Sequence, residues 1–240
     1  MDFKEHREND IFTEDKAAGK SLAAAENTLE ARRERYKVII RNFTIMSDTF
    51  MRKVFDRREC VEYALRVIMG KPDLQVTGFV VQGDYKNLQG RSAILDCVVR
   101  DSLGLYYDLE IQQKDEGANP KRARYHSSLM DMNILEVGEN FDHLPERYVI
   151  FITGKDPLGG RHPIYHIRKR IDESGKPFDA DDYVIYVNSS IQDDTELGRL
   201  MYDFHCKDAK DMYSEIFAKR VRELKETQEG VEQIFWKWKR

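Results

Sequence analysis

Ser92-Ala-Ile-Leu-Asp-Cys-Val-Val-Arg-Asp-Ser-Leu-Gly-Leu-Tyr-Tyr-Asp-Leu-Glu-Ile-Gln-Gln113 consists of two short apolar runs, residues 92–100 and 105–113, joined by Asp101-Ser-Leu-Gly104. Glycine reaches positive φ at no steric cost. Ser102, Leu103 and Gly104 therefore suit a three-residue hairpin loop in which Gly104 ends a type I turn and G1 bulge. Asp101 then pairs with Leu105, and the same register sets Asp96 opposite Glu110. Opposed residues of antiparallel strands have Cβ atoms about 4.5 to 5.5 Å apart, close enough for two carboxylates to share one divalent ion. Side chains alternate with period 2, so Gln112 joins Glu110 on that face. A four-residue loop would slip the register by one and send the two carboxylates to opposite faces, so the geometry depends on the turn.

Asp96 interrupts Ala93-Ile-Leu95 and Cys97-Val-Val99, a run that reads as a mostly buried strand. An unpaired carboxylate there would cost several kcal/mol of desolvation. An arginine, an exposed polar face or a metal would each compensate it, and the strand pattern alone does not choose among them.

On either side of this hairpin the layout is mixed. Residues before about Thr13 are polar, and residues 14–40 are helix-prone, with Leu22, Ala25, Leu29, Tyr36 and Ile40 near one stripe. This N-terminal segment, residues 1–42, reads as a tail and a helical arm that packs on the body or on a second copy of the chain. A break near residues 42–48 leads through Phe50-Met-Arg-Lys-Val-Phe55 to a helix at 58–69, in which Val61, Ala64, Leu65 and Ile68 face inward. Strands are expected at 74–82, 92–100 and 105–113, a helix at 120–136 and a strongly apolar strand at 148–153. Further strands follow at 164–170 and 183–187, then helices at 196–205 and 209–226. Residues 43–230 form the main domain and 231–240 a C-terminal tail. The order over the core is α-β-β-β-α-β, which by itself implies only an α/β or α+β chain.

Composition narrows the function classes. The chain has 240 residues, 41% of them hydrophobic, enough for one sizeable core. No run approaches the roughly 18 to 20 apolar residues of a membrane helix, and Met1-Asp-Phe-Lys-Glu-His-Arg7 lacks a secretory apolar stretch, so a cytoplasmic protein is expected. Cys60, Cys97 and Cys206 are odd in number and form no C-x-x-C pair, which points to reduced, buried thiols. His162 and His166 flank Pro163-Ile-Tyr165, a strand start, and make a poor zinc pair.

The net charge of -4 argues against a protein that coats nucleic acid through its overall field, so any DNA contact must be local. Lys121, Arg122 and Arg124 form the densest basic cluster near the hairpin, and Asn119-Pro120 reads as an N-cap and first helical residue. Such a turn favours phosphate, while a solvated charged face is the alternative.

Taken together, several ordered stretches resemble the PD-(D/E)XK nuclease family transposases, also called the Rpn or recombination-promoting nuclease family. They are Gly90-Arg-Ser-Ala-Ile-Leu-Asp96, Leu109-Glu-Ile-Gln112, Arg122-Ala-Arg-Tyr-His-Ser-Ser-Leu-Met-Asp131, Leu144-Pro-Glu-Arg-Tyr-Val-Ile-Phe-Ile152 and Pro163-Ile-Tyr-His166. Tyr183-Val-Ile-Tyr-Val-Asn188, Leu197-Gly-Arg-Leu-Met-Tyr-Asp-Phe204 and Asp211-Met-Tyr213 extend the likeness in the same order.

The resemblance implies a restriction-endonuclease-like core and a Mg2+- or Mn2+-dependent DNA endonuclease. Asp96, Glu110 and the carbonyl of Ile111 would hold the ion. Gln112 stands where the wider superfamily has lysine. It cannot act as a cationic acid, but its amide can hold a water. A helix glutamate sometimes joins such sites. Glu59 and Glu62 are available, although Glu62 sits four residues before Arg66 and suits a surface ion pair. Asp131 and Asp156 suit capping or packing. The second expectation is a nuclease-fold protein that has lost efficient catalysis and binds DNA or a protein partner.

Overall fold

The computed structural model describes residues 29–85, 92–113 and 118–238. The chain divides at Asn42 into two units. In the first, helix α1 (Leu29–Arg41) carries part of the expected arm, and residues 14–28 of that arm lie outside the described residues, as does Gly90.

The second unit is mixed α/β. Its elements are α2 (Asp48–Val54), α3 (Arg58–Met69), β1 (Val76–Tyr85), β2 (Ala93–Asp101), β3 (Tyr106–Gln112), α4 (Pro120–Ile134), β4 (Arg147–Thr153), β5 (Ile164–Ile167), β6 (Asp182–Asn188), α5 (Glu196–His205), α6 (Glu215–Glu226) and α7 (Gln228–Trp238). One sheet holds the six strands in the order β1-β2-β3-β4-β6-β5. The β1–β2 and β2–β3 pairs are antiparallel, β3–β4 and β4–β6 are parallel, and β5 closes the far edge antiparallel to β6.

The turn decides the register as its residues require. Gly104 takes φ +86°, its N–H donates to Asp101 O at 3.2 Å, and Asp101 N–H donates to Leu105 O at 3.0 Å. Asp101 itself is nearly buried, and its carboxylate accepts from Leu103 N, Leu105 N and the Tyr107 hydroxyl, each at 2.9 Å. A three-residue loop thus held gives Arg100↔Tyr106, Val99↔Tyr107, Val98↔Asp108 and Cys97↔Leu109. This is the register that sets Asp96 opposite Glu110.

Strand β3 is buried along nearly its whole length, as expected of a strand covered on both faces. Its odd-numbered residues, Tyr107, Leu109 and Ile111, point to one side. Its even-numbered residues point to the side on which α4 packs, where Val98, Ala123, Met130, Val149, Phe151 and Tyr186 form an apolar cluster. The cap of α4 is the one its sequence specifies: Asn119 Oδ1 accepts from Lys121 N at 2.8 Å and Pro120 follows at the first helical position. Helix α3 buries Val61, Ala64, Leu65 and Ile68, an i, i+3, i+4, i+7 stripe, and ends at Gly70 in the left-handed conformation. Glu62 pairs with Arg66 at 2.6 Å and also accepts from Val76 N, so it anchors the start of β1.

Three expectations need correction. Residues 231–240 are not simply a tail: α7 runs to Trp238, and Val231 and Ile234 are buried, because the apolar face of this last helix docks on α6 and α2. Residues 209–226 do not form one helix. Ala209–Asp211 is a 3-10 turn, and α6 starts afresh after Ser214, whose side chain accepts from Phe217 N. Strand β5 stops at Ile167, short of Arg170. Between the break and α3 the chain forms helix α2, with Phe50, Met51 and Val54 buried.

Candidate metal centre

Beyond Cys97↔Leu109 the β2–β3 ladder ends, while β3 continues its pairing with β4 through Gln112↔Thr153. Where the strands part, each carboxylate reaches the opposite backbone. Asp96 N–H donates to Glu110 Oε1 at 2.9 Å, and Ile111 N–H donates to Asp96 Oδ2 at 3.3 Å. Within a strand the N–H and C=O of one residue point the same way, so the Ile111 carbonyl also faces the gap in which Asp96 lies. Gln112 follows on the Glu110 face, half-buried, and its carbonyl accepts from Gly154 N at 3.0 Å. A side chain at 154 would put Cβ only 2.5 Å from Gln113 O, so glycine there lets the end of β4 approach closely enough to fix the end of β3.

Two further residues complete the centre. Asp108 precedes Glu110 by one strand period and is fully buried, and His126 reaches the same spot from the second turn of α4. Ligand atoms of Asp108, Glu110 and His126 lie within 4.8 Å of one another. Arg122, one turn before His126, ties the group together: Nη2 contacts Glu110 Oε2 at 2.9 Å and Nε donates to His126 Nε2 at 3.2 Å. Because Nε2 accepts, the ring proton sits on Nδ1, which meets Asp108 Oδ2 at 3.0 Å and Glu110 Oε1 at 3.5 Å. In this arrangement His126 donates from Nδ1 and accepts at Nε2.

The electrostatics follow from burial. Three carboxyls, Asp96, Asp108 and Glu110, lie near the Arg122 guanidinium and the His126 imidazole, with the Arg52 charge also acting on Asp96. Burial, then the charges of Asp108 and Asp96, push Glu110 up to about 9. Burial and the Asp96 charge hold Asp108 well above the usual carboxylate range, and the Asp108 and Glu110 carboxyls lie close enough to share a proton. Burial, and then Asp48 on α2, raise Asp96. Burial keeps His126 below its ordinary value, with Arg122 acting in the same direction and Glu110 opposing. Asp108 Oδ1 meets no ordinary donor among the described residues. Asp108, Glu110 and His126 form a buried group that could hold a metal ion, and its carboxylate oxygens are hard donors.

A second arm approaches Asp96 from α2. Arg52 pairs with Asp48 at 2.7 Å and also binds Gln82, whose amide oxygen lies 2.7 Å from Nη1 when turned toward it. Gln82 is the β1 residue between Val81↔Cys97 and Gly83↔Leu95, hence opposite Asp96, and its φ of +58° is a left-handed conformation that a glutamine rarely adopts.

The expected site residues divide accordingly. Asp96, Glu110, Ile111 and Gln112 come together. Lys121 and Arg124 are exposed on the first turns of α4, but Arg122 is not a third solvent-facing cation, because α4 crosses the sheet so that its guanidinium meets Glu110. Glu59 and Glu62 lie on α3 with Glu62 occupied at β1, Asp131 binds Arg147 at 2.7 Å, and Asp156 caps its own loop through Leu158 N and Gly159 N. The three cysteines are free and buried. No described helix is long and apolar enough to cross a membrane.

Asp108 and His126 were not among the residues expected at the site. Strand alternation, run backwards from Glu110, reaches Asp108, whereas nothing local in the sequence reveals which face of α4 meets it. No family model, curated protein or solved structure matches the chain.

Proposed function

We propose that the protein is a metal-dependent DNA endonuclease with a PD-(D/E)XK-type core, of the recombination-promoting kind that its sequence resembles. The observation that carries this reading is the pair Asp96 and Glu110, opposed across two strands at the point where those strands part. The element order α3-β1-β2-β3-α4-β4 agrees with the core that the resemblance implies.

Asp96, Glu110 and the Ile111 carbonyl would hold Mg2+ or Mn2+, which when bound polarises a phosphoryl oxygen and acidifies a water. The protein's own groups do the rest. Gln112, one strand period beyond Glu110, presents an amide that can hold the attacking water by hydrogen bonds. His126 fixes Asp108, and in the metal-free chain Arg122 pairs with Glu110. Val80 on β1 and Ile94 on β2 are both more than half exposed. Lys121 and Arg124 offer phosphate contacts at the N-terminal end of α4.

A second reading, a nuclease-fold protein that binds DNA or a protein without turnover, draws on one observation: Glu110 is fully buried and already matched by Arg122. Nicking of supercoiled plasmid separates the two. Under the first reading the wild-type chain nicks DNA with Mg2+ or Mn2+, stops with EDTA, and loses activity on Asp96→Ala. DNA binding without nicking under any of these metals favours the second.

A further inference from the structure

Resting on the metal reading above, we propose that Arg122 is a built-in counter-ion that occupies the cation's place on Glu110 and must swing out before a divalent ion can bind. The two ends of the contact differ. Glu110 has no exposed side-chain surface, whereas the Arg122 side chain is 37% exposed. Arg122 lies in the first turn of α4, two residues after Pro120, where a long side chain can reach solvent without disturbing the helix. Its guanidinium is divided between the carboxylate and the ring, with Nη2 on Glu110 Oε2 at 2.9 Å and Nε on His126 Nε2 at 3.2 Å. A divalent ion bound by Glu110 would meet this positive charge at contact distance. One side chain thus stabilises the metal-free protein and opposes the metal.

This role separates Arg122 from an ordinary structural arginine by the sign of its effect. Removing a purely structural residue loosens the site and weakens metal binding. Removing a resident counter-ion tightens it. Calorimetric titration of Mn2+ at pH 8 into the full chain should give Arg122→Gln an affinity about 10- to 100-fold above wild type, with Lys121→Gln unchanged. The Arg122→Gln chain should also melt at lower temperature without metal and recover with Mn2+.

Equal or weaker affinity in Arg122→Gln overturns the proposal and leaves the metal reading standing, whereas no Mn2+ binding by either chain overturns both. A measurement on the wild-type protein does not depend on the variant folding. At saturating Mg2+ the Arg122 Nε–H resonance should shift and exchange faster with water. An Nε–H signal unmoved by bound Mg2+ overturns the proposal.

Discussion

The two ends of the β2–β3 hairpin treat buried acid in opposite ways. At the turn, Asp101 is 4% exposed and receives three hydrogen bonds, from Leu103 N, Leu105 N and Tyr107. Where the strands part, Asp96, Asp108 and Glu110 crowd together, Arg122 pairs with Glu110, Arg52 acts on Asp96 from α2, and Asp108 Oδ1 has no hydrogen-bond partner among the described residues. Burial of a carboxylate therefore carries no functional signal alone. What distinguishes the two ends is whether the donors present match the acceptors, since a satisfied buried acid holds a fold and an unsatisfied one costs stability that a ligand can recover.

The strongest way to break the comparison is to neutralise one acid at the open end. Asp96→Asn should lower metal-dependent nicking by at least about 1,000-fold, roughly 4 kcal/mol of barrier, because the ligand set loses a charge. Urea unfolding of the metal-free variant should show equal or greater stability, since repulsion among the carboxyls falls. Nicking at the wild-type rate would remove Asp96 from the site.

The matching change at the turn should act on the fold. Asp101→Ala removes three hydrogen bonds to a carboxylate and leaves two backbone N–H groups without their partner, for a loss of about 3 kcal/mol. Asp108→Asn, by contrast, should raise the stability of the metal-free protein by about 1 kcal/mol, because it removes a buried acid whose charged form the site disfavours. Paired urea titrations check both. If Asp101→Ala and Asp108→Asn shift stability in the same direction, the two ends do not differ in the way argued.

The same contrast explains what was legible in the sequence. Gly104 and the spacing of the two runs are local, and a three-residue loop has few ways to close, so the register and the opposed pair Asp96 and Glu110 could be read directly. Helix α3 was equally readable, because its stripe and its terminal Gly70 are local signals. The identity of Arg122's partner was not, because it depends on the angle at which α4 crosses the sheet, a result of packing among Ala123, Met130, Val149 and Phe151. Asp108 was missed for a related reason. A single acid in an apolar strand gains meaning only when His126 is known to lie above it, and Asp48, from a helix some fifty residues earlier, is further still from any sequence signal.

A gentler test uses pH. The carboxyl of Glu110 moves from an ordinary 4.5 to about 9 in the folded chain. Between those values the folded state holds a proton that the unfolded state has lost. The associated stability is therefore fully present below about pH 4.5 and is lost as pH rises toward 9, at up to about 1.4 kcal/mol per pH unit. Urea midpoints of the metal-free protein should fall across this window, and Glu110→Gln should flatten that fall. Added Mn2+ should oppose it, since the ion binds the deprotonated group. A pH profile identical in wild type and Glu110→Gln would place the acid imbalance elsewhere.

The smallest expected effect concerns the basic turn beside the open end. Each phosphate contact contributes about 0.9 to the slope of log affinity against log salt for duplex DNA. Three solvent-facing cations would make Lys121, Arg122 and Arg124 equivalent, and a triple change to glutamine would flatten the slope by nearly three units. With Arg122 bound to Glu110, only Lys121 and Arg124 are available without metal. The double change Lys121→Gln with Arg124→Gln should then lower the slope by about 1.8, and adding Arg122→Gln should change it no further in EDTA. In Mg2+, where the proposed displacement would move the guanidinium toward solvent, the third change should gain an effect of its own. Fluorescence anisotropy on one duplex across a salt series, with and without Mg2+, compares these slopes. A third contact already present in EDTA would mean that Arg122 is shared with solvent before any metal arrives, and the open end would then be less tightly closed by its own cation than its geometry indicates.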